Sequence, residues 1–357
     1  MNLPVSVIIP TFNCIDRIKE SIPAFRDELS KAFEIIVVDS ESTDGTLEYV
    51  KDQLNQLNVK FYNRPRGLYE AWNFGVSCAT GKYVYFATAG DLIRPGGLHD
   101  LVQCSEQLDA DVVVSPPEII DGSGGKLETE WPIHRFIKDV GVTQPRLLDF
   151  RETFFLSLWF GTNGILGSSA SNLYRTNVLQ RWPFPVDGGH AGDTLWGCRH
   201  AHKLKIGLLP ATISKFVVEF CGDSSSDLGL QLYWDTTLRF VREGLDALCA
   251  SGQSNLSEVD RAWAVDTLRH LIHSLENQAT RIIESETRST ARLNYTKSLT
   301  KVVAERDVLV AELEVVCAER LEALVLIDKA RKTAEDEVRT IRASRGGQIM
   351  KKLGFLR

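Results

Sequence analysis

The sequence predicts an α/β protein: a mostly parallel sheet flanked by helices, then an α-helical region, then a C-terminal coiled coil. Three observations carry this expectation. Over the first hundred residues, short β-branched runs alternate with segments of helical period. From about residue 228 the apolar spacing becomes three-four almost throughout. Beyond about 290 the composition shifts to Glu, Arg, Lys, Ala, Leu and Val, and glycine is absent from 253 to 345.

The elements follow in order. "VSVIIP" is a strand that Pro10 ends, and "EIIVVDS" is a second. Between them Ile15, Ile18, Ile22, Phe25 and Leu29 fall on one helical face. "DGTLEYVKDQL" is a helix, "NVKFYN" a strand, "GLYEAWNFGVSCA" a helix, "GKYVYFATA" a strand and "DADVVVSP" another. Strands separated by short helices imply βαβ units with right-handed crossovers. After Pro117 the pattern loosens, with Gly, Pro, charge and scattered aromatics (Trp131, Phe136, Phe150, Trp159) over 121–160. "SASNLYRTNVLQRW" reads as strand with helix, and "DTLWGCRHAHKLKIGLLP" as helix with strand. Leu299, Val302, Leu309, Leu313, Val316, Ala323, Ile327, Ala330, Ala334 and Ile341 trace a heptad-like seam, which Arg306 and Arg320 interrupt. A parallel dimeric coiled coil is the expected form, with a helix folded back on the globular body as its alternative. The end, "RASRGGQIMKKLGFLR", is basic and amphipathic, in the manner of a peripheral membrane anchor or a solvated terminus.

The 357 residues suggest two or three domains, and a net charge of −6 argues against a general nucleic-acid binder. Seven cysteines without a C-x-x-C pair suit reduced thiols in a cytoplasmic protein. The first residues lack the basic and apolar regions of a signal peptide, and no run of about 20 apolar residues is present. No G-x-G-x-x-G follows the first strand, so a dehydrogenase-like nucleotide site is not expected.

Polar residues collect where strands end. Pro10, Thr11, Phe12 and Asn13 close the first strand, at the edge where α/β proteins meet nucleotides. Asp39 closes the second and can accept hydrogen bonds from a base or ribose. Ser42, Thr43, Asp44 and Gly45 form a turn in which Thr43 or Asp44 caps the next helix. Asp91 stands alone behind Thr88, Ala89 and Gly90, after the strand "YVYF". Cys198, His200 and His202 lie at i, i+2 and i+4, and only the first and last share a helical face, a poor zinc pattern.

Four segments, "SVIIPTFN", "EIIVVDSESTDGT", "GLYEAWNFGVSCATGKYVYF" and "AGDLIRPGGL", resemble in order and spacing a family 2 glycosyltransferase of the inverting GT-A type, in its capsule and O-antigen branch. The resemblance is strong over 4–120 and loose over 160–220. It implies a glycosyltransferase domain over 1–225, with a nucleotide-sugar half (1–117) and an acceptor half (118–225). A helical extension (226–290), the coiled coil (291–345) and the basic tail (346–357) would follow. It places Thr11 and Asp39 on base and ribose, Arg66 on base or phosphate, and Pro10, Asn13, Thr88, Ala89 and Gly90 along the nucleotide sugar. The family's Asp-Gly-Ser after "VVD" is here Ser40-Glu41-Ser42, and the two acids of its Asp-x-Asp motif are replaced by Thr88 and Gly90. Asp91, just after, becomes the ligand of a Mn²⁺ or Mg²⁺ ion. One carboxylate suffices physically, because the diphosphate and waters complete the octahedron.

The same resemblance makes Asp193 the general base, with Gly192 where the family carries Glu. His190 is a weaker candidate for metal or phosphate, and Trp159 and Trp196 are core residues before they are sugar platforms. The implied partners are a UDP, GDP or dTDP sugar, a glycan or lipid-linked acceptor of bacterial surface-polysaccharide assembly, and a second copy through the coiled coil. The implied location is the cytoplasm, with the tail placed to touch the inner membrane's cytoplasmic face. The alternative is an inactive domain that binds nucleotide sugars as a scaffold, suggested by Ser40, Thr88, Gly90 and Gly192.

Overall fold

Strand β1 (Leu3–Thr11) is buried on both faces, with Val5, Val7, Ile8 and Ile9 all inside, as the continuous apolar run requires. It pairs in parallel with β2 (Ala32–Asp39) on one side and β4 (Tyr83–Phe86) on the other, and β3 (Val59–Asn63) adds in parallel beyond β2. Pro10 does not end β1. The Ile8 carbonyl accepts from Ala87 on the β4 side. Two residues on, Pro10 faces that same side where β4 has already stopped, so its missing N–H costs no ladder bond.

This computed structural model describes residues 2–122, 124–154, 156–157, 166, 168–187 and 192–218, and beyond them 239, 242, 243, 246, 264, 265, 269 and 340. The chain divides into two compact units, Met1–Ala279 and Thr280–Arg357, and the elements named here belong to the first. The expected coiled coil (Thr340 apart) and basic tail, most of the helical extension, His190 and Trp159 lie outside the described residues.

Helix α1 (Ile15–Leu29) buries Ile18, Ile22, Phe25 and Leu29, the predicted face. Helices α2 (Thr46–Leu54) and α3 (Leu68–Cys78) complete the first crossovers. Strand β5 (Leu92–Ile93), helix α4 (Gly97–Leu108) and β6 (Val112–Val114) come next. The loosened stretch after Pro117 holds β7 (Glu118–Asp121), α5 (Pro132–Val140), β8 (Arg146–Leu147) and α6 (Phe150–Phe154). Helix α5 carries proline at its first turn and binds the Trp131 N–H through the His134 ring, a local start signal hidden by the surrounding irregularity. Strand β9 (Asn172–Arg175) with α7 (Thr176–Arg181), and α8 (Gly192–His200) with β10 (Ile206–Leu208), match the predicted strand–helix and helix–strand pairs. The last described strand is β11 (Ser214–Val218).

The main sheet has the order β3-β2-β1-β4-β9-β6-β10-β8, and a second sheet the order β5-β11-β7. Strand β9 lies antiparallel between β4 and β6, so the sheet is parallel in its first half and mixed in its second. On one face, Trp72, Phe86, Tyr174, Phe184 and Trp196 form a continuous aromatic core, with Trp72 stacked on Phe86 at 4.1 Å between ring centroids. Trp196 is fully buried and donates to the Trp182 carbonyl at 2.6 Å, a core role. Cys198 donates its thiol to the Ser157 carbonyl, and His200 stacks on Trp182, so the two serve packing rather than one another.

Candidate active site

The carboxyl ends of β1 and β2 are stitched together by side chains. Asp39, 1% exposed, accepts from the Thr11 hydroxyl at 2.7 Å, the Ser42 hydroxyl at 2.7 Å and the Ser42 N–H at 2.8 Å. Thr11 is itself buried, so its hydroxyl is committed to Asp39. Asn13, in a left-handed conformation (φ 42°), accepts from the Thr43 N–H at 2.8 Å, and its own N–H donates to the Ser42 hydroxyl. The structure thus brings Thr11, Asn13 and Asp39 into one network around Ser42, the third residue of the Ser40-Glu41-Ser42 replacement. Arg66 lies over the Phe12 ring at 4.5 Å, with Phe12 exposed beside Pro10.

The expected cap by Thr43 or Asp44 takes another form. Gly45, at φ 90°, is the residue before α2, and no side chain caps it. Asp44 instead accepts from the Thr46 N–H at 3.0 Å and from the Ile15 N–H at 3.0 Å. One carboxylate therefore serves the first turns of two helices, a tertiary arrangement that local spacing does not encode.

Asp91 follows a tight turn in which Gly90 has φ 101°, a conformation that a side chain rarely adopts. The Thr88 hydroxyl donates to Asp91 Oδ2 at 2.9 Å and lies 3.2 Å from the Ser169 hydroxyl. The Val217 N–H reaches Oδ1 at 3.4 Å. Burial raises the Asp91 pKa to about 6, against the pull of these donors and of the Arg17 charge. Arg17 and Ser169 were not foreseen: Arg17 sits on an exposed turn of α1, and Ser169 comes from a segment remote in sequence. Among the described residues, no group of three His, Cys, Asp or Glu side chains could hold a metal ion unaided.

Asp193 lies in the first turn of α8. Its Oδ1 accepts from the Thr194 N–H at 2.7 Å and from the Tyr69 hydroxyl at 3.1 Å. Burial again raises the pKa to about 6, with the two donors pulling the other way. Tyr69 is the second residue of α3, which starts just beyond the carboxyl end of β3, so Asp193 is held at that edge of the sheet. Gly192 has no room for a side chain: an added Cβ would meet the Tyr69 ring at 2.6 Å and the Pro185 carbonyl oxygen at 2.7 Å.

A parallel half-sheet with polar side chains at its carboxyl edge sets the class, and comparison with known proteins agrees with it. Residues 6–175 match the family Glycosyl transferase family 2. The glycosyltransferase GlyG of Streptococcus pneumoniae serotype 4 is 29% identical over 124 residues, 34% of this chain and 41% of that protein. The poly(ribitol-phosphate) beta-N-acetylglucosaminyltransferase TarS of Staphylococcus aureus strain Mu50 is 31% identical over 124 residues, 33% of this chain and 22% of its own length. The chain thus spans less than half the length of either. S. aureus TarS 1-349 in complex with UDP-GlcNAc superimposes with a TM-score of 0.57 at 21% identity, covering 75% of this chain and 71% of that one. The mannosyltransferase PcManGT of Pyrobaculum calidifontis, with GDP-Man and Mn²⁺, superimposes with a TM-score of 0.52 at 16% identity, over 85% and 81%. These two likenesses share the fold. Over residues 6–175, just under half of its length, the chain is similar to family 2 of the glycosyltransferases. Among the described residues, no helix is long and apolar enough to cross a membrane.

Proposed function

We propose that the chain is an inverting glycosyltransferase that moves a sugar from a nucleotide-diphosphate sugar to a hydroxyl of a glycan or lipid-linked acceptor, in the assembly of a bacterial surface polysaccharide. The observation that carries this reading is the state of Asp193. It is a half-buried carboxylate with a pKa near 6 and with its Oδ1 occupied by two donors. Such a group is ionised at neutral pH yet more basic than an ordinary surface carboxylate. The acceptor hydroxyl gives its proton to Asp193, and its oxygen forms a bond to the anomeric carbon from the face opposite the leaving group. The bond from that carbon to the diphosphate oxygen breaks, and the nucleoside diphosphate departs.

In this reading Pro10, Thr11, Asn13, Asp39 and Arg66 bind the nucleotide, with Phe12 and Arg66 as its exposed border. Thr88, Ala89 and Gly90 leave space for sugar and phosphate, and Arg17 adds a cation beside them. Asp91 and Thr88 would hold a Mn²⁺ or Mg²⁺ ion. The donor set fits a cation that arrives with the diphosphate: one carboxylate whose burial raises its pKa and, among the described residues, no cluster that could hold the ion unaided. When bound, the ion neutralises charge on the leaving diphosphate. The complexes of related folds with UDP-GlcNAc and with GDP-Man and Mn²⁺ support a donor of this type.

A calorimetric and thermal-shift screen of UDP, GDP, dTDP and CMP sugars, each with Mn²⁺ and Mg²⁺, tests the reading, because a ligand that binds the folded state stabilises it. Turnover of the donor so found is expected with a glycan or lipid-linked acceptor. Binding without transfer or hydrolysis at any metal concentration would replace the enzyme with the scaffold. That alternative loses one of its supports here, since Gly192 makes room for Tyr69 while Asp193 is kept. The proposal includes self-association through 291–345, for which light scattering should give an oligomer for the full chain and a monomer for a variant lacking 290–357.

A further inference from the structure

We propose that Tyr69 is the positioning residue of Asp193, and that position 192 is glycine because the Tyr69 ring occupies the space of any side chain there. The inference rests on the reading of Asp193 as the base and names what aims it. Tyr69 and Asp193 are 124 residues apart in sequence, yet the phenol donates to Oδ1 at 3.1 Å. The Thr194 N–H adds a second donor to Oδ1, at 2.7 Å. With Oδ1 doubly held, the carboxylate is fixed in orientation, and among the described residues no donor meets Oδ2, the oxygen left to receive a proton.

The ring cannot move aside to make room at 192. Tyr69 is 2% exposed and is wedged against Trp72, at 5.2 Å, and Phe184, at 5.8 Å, in edge and tilted contacts. An added Cβ at 192 would stand 2.6 and 2.7 Å from two ring carbons and 2.7 Å from the Pro185 carbonyl oxygen. The departure from the Glu-Asp pair and the presence of Tyr69 are therefore one feature. The carboxylate side chain at 192 is replaced by a phenol that arrives from α3.

Among the described residues, the titratable groups that face Asp193 are Tyr69 from α3 and Tyr174 from β9, and burial raises both phenols well above their ordinary value, so both stay neutral. Tyr174 takes a different partner, the Asn172 amide at 3.4 Å. Among the described residues, hydrogen bonds rather than a cation thus favour the ionised form of Asp193, and Tyr69 supplies the one that comes from a side chain.

Tyr69→Phe keeps the ring and removes the donor. In the full chain labelled with ¹³C-carboxyl aspartate, the Asp193 signal is assigned by its loss in Asp193→Asn, and its titration is followed by NMR. Tyr69→Phe is expected to raise the Asp193 midpoint by about one pH unit. Tyr174→Phe is expected to leave it in place. An unchanged midpoint in Tyr69→Phe overturns the proposal, and so does an equal shift in Tyr174→Phe, which would point to burial in general. The acid limb of turnover should move with the NMR midpoint. Full turnover by Asp193→Asn would sink the base assignment while leaving the titration result standing, so the two failures are distinguishable.

Discussion

At the amino edge of the parallel strands, Glu34 is 1% exposed and fully engaged. Its Oε1 accepts from the Ser6 hydroxyl at 2.7 Å, the Thr80 N–H at 2.7 Å and the Thr80 hydroxyl at 2.8 Å, and its Oε2 meets Lys60 at 2.7 Å. At the carboxyl edge, Asp91 and Asp193 are also withdrawn from water, but no lysine or arginine is bonded to either among the described residues. The consequence is opposite in sign. Burial would raise the Glu34 pKa, yet Lys60 and the surrounding donors outweigh it and hold the group down at about 2. For Asp91 and Asp193 burial wins, and both rise to about 6. A carboxylate that is fully partnered ties strands together. One left short of partners costs stability and is available for a cation or a proton.

The largest expected effect breaks the comparison at its functional end. Asp193→Asn should lower turnover by about 10²- to 10⁴-fold, the usual contribution of a general base. It should not lower the melting temperature at pH 7 to 8. Because the folded pKa of Asp193 lies above its unfolded value of 3.8, the ionised group lowers stability as pH rises from about 4 through 6. The amide removes that burden. Wild-type turnover should fall as pH drops below about 6, where Asp193 gains a proton.

Glu34→Ala should do the reverse, with the fold weakened by about 3 kcal/mol in urea titration, since Lys60 and buried donors lose their partner. Here the folded pKa lies below the unfolded value of 4.5, so the stability is present above 4.5 and is lost as pH falls toward 2. A Glu34→Gln variant with an unchanged acid transition would break the contrast. Gly192→Ala should cost about 1–3 kcal/mol by overpacking against Tyr69 and Pro185, measured by the same titration. The smallest effect is on Asp91. Calorimetry should find negligible Mn²⁺ binding without nucleotide, and Asp91→Asn should remove the metal-dependent part of nucleotide-sugar binding while leaving the fold intact. Tight binding of Mn²⁺ by the chain alone would overturn the single-carboxylate reading.

The first crossovers were legible because their periodicities are local. β1, β2 and the face of α1 follow from β-branched runs and from Ile18, Ile22, Phe25 and Leu29. Short elements without a period escaped, as in β5, β7 and β8, which are strands only because a partner pairs with them. The antiparallel β9 reads as a strand, but its insertion between β4 and β6 depends on pairing across about ninety residues of chain on one side and about sixty on the other. Asp39 and Asp91 stood out as acids at strand ends, and Asp193 through the family resemblance. What surrounds them did not. Arg17 and Ser169 have no local mark, because a helix surface or a serine-rich turn presents such residues everywhere, and Tyr69 reads as one more core aromatic of its helix.

The sequence by itself determined the class of fold and the acids Asp39 and Asp91 where strands stop, and a family resemblance added Asp193 at a helix start. The first two follow from apolar period and from acids placed at strand ends. Only the tertiary structure decided that Thr11 is spent on Asp39, that Asp44 serves two helices, and that Gly192 yields its space to Tyr69. It also decided which acids are partnered, and hence that Glu34 stays ionised while Asp91 and Asp193 are poised near 6. A pKa and a steric gap are properties of neighbours, and neighbours from distant segments exist only once the chain has folded.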